Sequence, residues 1–134
     1  MAIIDLPPNH RRSLSVTAHF IEREMNSLEQ TLLSGEDMIT EKIEKSYNEP
    51  EREALIGAIR QLKELNKKMF YDLGLNETIH TEEQIVRAKA GHLWTILIDS
   101  TPKGLKGYGM LPPDQAEVLD VYVNNLLEML KYLY

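Results

Sequence analysis

The sequence predicts an all-α protein, a four-helix-bundle-like single domain, and three observations carry that prediction. Four long segments repeat apolar residues at the three-and-four spacing of one helix face. No segment shows a convincing strand alternation. Breakers punctuate the pattern at Gly35, at Gly74 and in a Gly- and Pro-rich stretch over residues 100–113.

In residues 13–34, Leu14, Ala18, Ile21, Met25, Leu28 and Leu32 step by four and three, which makes a seam. Ser13 suits the N-cap, because its hydroxyl can accept from an otherwise unpaired amide, and Gly35 suits the left-handed residue past the end. Residues 1–12 then form an N-terminal arm ahead of a bundle domain over residues 13–134. Ile3, Ile4 and Leu6 precede Pro7 and Pro8 there, so the arm is either a disordered terminus or a strap that docks on this or a neighbouring subunit.

Residues 36–48 read as an additional short helix or an irregular segment. Ile39, Ile43 and Tyr47 step by four and Glu41 can pair with Lys45, but Thr40, Ser46 and Asn48 are mediocre helix formers. Pro50 fits the first turn of the second main helix, whose seam is Leu55, Ala58, Leu62, Leu65 and Met69, widened by Ile56, Ile59, Phe70 and Leu73. Its charged residues read as a solvated face.

Thr81 followed by Gln84 is a capping-box pattern at the start of the third helix. Val86, Ala90, Leu93 and Leu97 form its seam, and residues 93–98 are apolar nearly all round, which predicts the centre of the core. The fourth helix begins near Pro113 with Asp114 and Glu117 at its positive end, and its seam is Ala116, Leu119, Val123, Leu126, Leu130 and Leu133.

Composition narrows the function classes. Hydrophobic residues at 43% and charged residues at 27% are values of a globular chain. A formal charge of -6 opposes nucleic acid, which would need Arg11, Arg12, Lys103 and Lys106 to cluster; nucleic-acid binding is not expected. The absence of cysteine removes disulfides, thiolate metal sites and cysteine nucleophiles, and a reducing cytoplasm fits best. Asp5 and two prolines interrupt what a signal peptide needs to keep apolar, and no apolar run approaches the roughly 20 residues of a membrane span.

Candidate sites are sparse. Glu77 and His80 have the Glu-x-x-His spacing of carboxylate-bridged metal bundles, but no second copy occurs. His19 and Glu22 lie at i, i+3 on the first helix and His92 lies on the third. Together they are the candidate residues for an internal metal or small-molecule site, against a plainer role as boundary residues. Over residues 100–113, Lys103, Gly104, Lys106 and Gly107 resemble a phosphate cradle only superficially, because the following helix opens with Pro113, which lacks an amide hydrogen, and Asp114, which repels anions. The expectation there is a turn-rich loop folded on the bundle end with Tyr108 packed against it. Its partner-binding candidates are Lys103, Lys106 and Tyr108. No nucleophile with an adjacent base is recognisable and no cofactor is expected. The expected function is therefore non-enzymatic: protein–protein interaction or self-association, with a protein partner or a second copy in a homodimer.

Overall fold

The structure, a computed structural model, describes residues 4–35 and 38–134. Four long helices dominate it: α1 (Pro8–Leu33), α2 (Glu49–Asp72), α3 (Glu82–Asp99) and α4 (Pro113–Leu130). Single 3-10 turns follow at Lys106–Tyr108 and Lys131–Leu133. No strand occurs among the described residues. The helices pair as α1 with α2 and α3 with α4, in two compact units that divide between Thr78 and Ile79.

α1 starts five residues before the expected Ser13. Pro8 at the first helical turn supplies a preset φ and gives up an amide hydrogen that a helix start leaves unpaired anyway. Arg11 fastens this turn to the arm by donating to the Asp5 carboxylate at 2.8 Å and to the Leu6 carbonyl at 3.2 Å. Residues 8–12 of the expected arm are thus helix. Ile3 of the expected strap lies outside the described residues. Gly35 follows the helix with φ 55°, a conformation that a residue with a Cβ rarely adopts.

Beyond residues 36 and 37, which are not described, the next stretch is irregular, and α2 is the next helix after α1. The Tyr47 carbonyl accepts from Arg52 at 3.2 Å and the Asn48 side chain accepts from the Glu51 amide at 2.8 Å. Those side chains favour the start of α2 over continuation of helix through residues 40–48.

α2 lies antiparallel to α1. The register is fixed by Arg52 donating to the Leu32 carbonyl at 3.0 Å, by Arg60 and Lys63 on Glu29 at 3.0 and 3.4 Å, and by Asn66 donating to the Ala18 carbonyl at 2.9 Å. These four ties also fix the rotation of α2. Ile56, Ile59 and Asn66 are buried, whereas Leu62 and Leu65 of the expected seam are exposed. The helix offers two adjacent apolar stripes, and the inner one is the stripe whose polar members find partners on α1. Arg52 and Lys63 consequently belong to the α1–α2 contact and not to a solvated face, and Arg60, its side chain 62% exposed, reaches that contact from the rim.

In the second unit, Thr81 and Gln84 form the expected capping box at 3.1 and 3.0 Å. Ala90, Val123 and Leu130 are its buried apolar residues. α4 runs back along α3, and the turn at Lys131–Leu133 still touches α3. Residues 93–98 do not form a core centre: Leu93, Trp94, Ile96 and Ile98 are all exposed. α4 covers one stripe of α3, and this segment is apolar on more than one. On α4, Ala116, Leu119, Val123, Leu127 and Leu130 turn inward, and Leu126 and Leu133 of the expected seam are exposed.

Candidate functional site

His19 and Glu22 stand on the outer edge of the α1–α2 seam, both exposed, beside a pocket of about 410 Å³. Lys67, Phe70 and Tyr71 of α2 form its opposite wall, with the two rings packed edge to face at 5.5 Å. Residues 76–78 close one end. Ser15 holds that end in place, because its hydroxyl donates to the Arg11 carbonyl at 2.7 Å and accepts from the Asn76 amide at 3.0 Å. A hydroxyl engaged in this way positions a loop; it is not presented as a nucleophile.

Asn66, only 8% exposed, lines the same pocket. Its Nδ2 is used on Ala18, while Oδ1 is buried with no partner among the described residues. Sequence reasoning passed over Asn66 and Ser15. The available signal was a polar residue at core register: Asn66 follows Ile59 and Lys63 at steps of four and three on the inner stripe.

His92 is an exposed residue of α3, in the other unit. Among the described residues, no group of three or more His, Asp or Glu side chains is placed to hold a metal ion. Glu77 and His80 lie in non-helical chain before the Thr81 cap, so their spacing does not put them on one helix face. No helix among the described residues is long and apolar enough to cross a membrane.

The connection between α3 and α4 folds back onto the end of α3. Thr101 anchors it: its hydroxyl donates to the Ile98 carbonyl at 2.9 Å and accepts from the Gly104 amide at 3.0 Å. At Gly104 a Cβ would come within 2.6 Å of the Asp99 carbonyl oxygen, so the turn requires glycine for its close approach. Lys103 and Lys106 are exposed. Tyr108 is 93% exposed and not packed against a helix end as expected, and Met110 is equally bare. Anchored at its start, the loop holds an aromatic and a thioether side chain out in solvent next to two ammonium groups.

The charge cluster at the α1–α2 contact has the clearest electrostatic signature. The hydrogen bond from Arg60, followed by the bond and charge of Lys63, holds the Glu29 carboxyl below its ordinary value against the opposing effect of burial. Each element of this cluster is explained by helix pairing. Beyond it, the features unexplained by folding are the pocket beside His19, the bare loop tip and the outer apolar stripes of α2 and α4. Compared with protein-family models, curated proteins and solved structures, the chain matches none.

Proposed function

We propose that this is a non-enzymatic helical protein that works by associating with protein, either a partner or a second copy of itself. The observation that supports this reading is the set of large apolar side chains on the outer sides of α2 and α4, such as Leu62, Leu65, Tyr122, Leu126 and Met129, which their own helix pair leaves exposed. Contiguous exposed apolar surface on a folded chain marks an association surface. The four-helix-bundle arrangement belongs to the same proposal, with association supplying the helices that cover the stripes each pair leaves exposed. The loop at residues 100–113 adds Tyr108, Lys103 and Lys106 as contacts, the aromatic residue being of a type enriched at interfaces.

Simultaneous replacement of Lys103, Lys106 and Tyr108 by alanine tests the loop. All three are exposed, so the melting temperature should hold while association with protein, measured by light scattering and quantitative cross-linking, weakens. Unchanged association would remove the loop from the reading. A second reading is favoured by one observation, the orphaned Asn66 Oδ1 in the pocket wall: a small polar ligand there would donate to Oδ1 and meet His19 and Glu22. Chemical-shift changes confined to residues 15–22 and 66–78 in a fragment screen would support it, and a screen without such changes would count against it.

A further inference from the structure

We propose that the α3–α4 pair is a homodimerisation module whose occupant is a second copy of the same chain. This rests on the reading that the exposed helix faces are association surfaces, and it names the face and the occupant.

α4 carries two apolar stripes side by side. The inner one contains Val123 and Leu130, both buried. The outer one runs Val118, Tyr122, Leu126, Met129 at steps of four, four and three, so at 3.6 residues per turn it forms a continuous band one flank away from the first. α3 repeats the design, with Ile85, Leu93 and Ile96 on a flank of the seam that contains Ala90. Because α4 runs back along α3, the two flanks fall on the same side of the pair. The other side carries Arg87, Glu117, Asp120, Asn124 and Glu128, with Trp94, Ile98 and Val121 as its apolar exceptions.

Area decides between this face and its counterpart on the first unit. The seven outer residues of α3 and α4 are 45% to 67% exposed. Taking about 200 Å² for a large side chain in the open, they present roughly 750 Å² per chain, close to the about 800 Å² per partner of a stable interface before any polar rim is added. On the matching flank of the α1–α2 pair, Leu28, Leu62 and Leu65 present only roughly 300 Å² by the same measure, which is too little, and Val16, Phe20, Leu33 and Tyr71, also exposed on these helices, lie off that flank. A groove of about 440 Å³ beside Val118 and Tyr122, floored by Leu119, gives the face relief into which a large side chain of the facing copy fits. Lys89 shares this flank of α3, where its methylenes can cover apolar surface while the ammonium reaches water at the rim. Two such faces related by a two-fold axis make a closed, self-complementary interface of four helices.

The test is light scattering on the full chain across the micromolar range, with far-UV circular dichroism as the check on folding. The wild type should have twice the chain mass. Leu126→Asp and Tyr122→Asp should raise the dimer dissociation constant by about 30-fold or more with helical signal retained, and Asn124→Asp on the charged side should leave it unchanged. Should the aspartates cost helix, Leu126→Ala and Met129→Ala carry the same expectation with a good helix former in place. A monomeric wild type throughout overturns the proposal, as does a dimer that survives Leu126→Asp but dissociates with Leu65→Asp. A monomer that still binds a different protein and loses it in the loop triple variant overturns the dimer alone. A monomer with no protein association overturns the broader reading as well.

Discussion

Replacing Asn66 by leucine should stabilise the α1–α2 pair, although it deletes a buried hydrogen bond. The bond from Nδ2 to the Ala18 carbonyl, 2.9 Å long, contributes about 1 kcal/mol net. Its loss leaves no orphan on α1, because the helix continues through Leu33 and the Ala18 carbonyl keeps its place in the helical ladder. The partnerless Oδ1 costs about 1 to 3 kcal/mol, which the substitution relieves. Leucine adds apolar burial worth about 1.5 to 3 kcal/mol when complete, and the adjoining pocket offers room that limits overpacking, a cost of about 1 to 3 kcal/mol elsewhere. The net expectation is a gain of about 1 to 2 kcal/mol. In thermal unfolding that is a rise of about 4 °C per kcal/mol for a chain of this length. Asn66→Asp should do the opposite, placing an uncompensated charge against a carbonyl at a cost of about 3 kcal/mol or more that acid partly restores. A leucine variant that is less stable than wild type by over about 1 kcal/mol, with helix content intact, would refute the reasoning. It would mean that Oδ1 has a partner in solution, an ordered water or a ligand in the pocket.

Two further outcomes follow from the polar ties of each unit. Glu29 is held below its ordinary carboxyl value by Arg60 first and Lys63 second, so its contribution is present above the unfolded-state value and is lost as pH falls through the lowered folded-state one. Glu29→Gln should therefore be less stable than wild type at neutral pH, with the gap closing on acidification; urea titrations giving a constant gap down through the acid range would contradict this. In the second unit, Thr81→Ala removes the side-chain acceptor for the Gln84 amide and should cost about 1 kcal/mol, read as faster hydrogen exchange in the first turn of α3. Unchanged exchange there would show that the cap contributes nothing.

Elements whose causes are local were legible in the chain. Helix spacing located all four long helices, Thr81 with Gln84 marked the start of α3 in the form observed, Gly35 carries the left-handed backbone expected past a helix end, and Gly74, read as a breaker, carries it too. Pro8 was the exception. Its preset φ begins α1 ahead of Ser13, because a proline at the first turn competes with a hydroxyl cap farther on. The loop at residues 100–113 was correctly placed between α3 and α4, but the exposure of Tyr108 could not be read from its type, since a tyrosine is equally suited to packing and to projecting. Of the candidate site residues, His19 and Glu22 were recognised as neighbours at i, i+3. The pocket beside them depends on α2 and on the segment after it, which no spacing on α1 reveals.

What the sequence by itself determined is therefore the helical class, the helix limits set by glycine, proline and caps, and the presence of more apolar surface than one seam per helix requires. What only the tertiary structure decided is which stripe turns inward. On α2 and α4 two stripes of similar hydrophobicity lie one flank apart, and periodicity cannot choose between them because burial of either removes similar apolar area from water. On α2 the choice falls to Arg52, Arg60, Lys63 and Asn66, each of which donates a hydrogen bond to α1 in one rotation of the helix. On α4 it places Val123 and Leu130 against α3 and leaves Tyr122, Leu126 and Met129 outside. A polar contact is specific to one partner and one distance, whereas hydrophobic attraction is non-directional, so the few polar ties on α2 settle what its many apolar residues leave open.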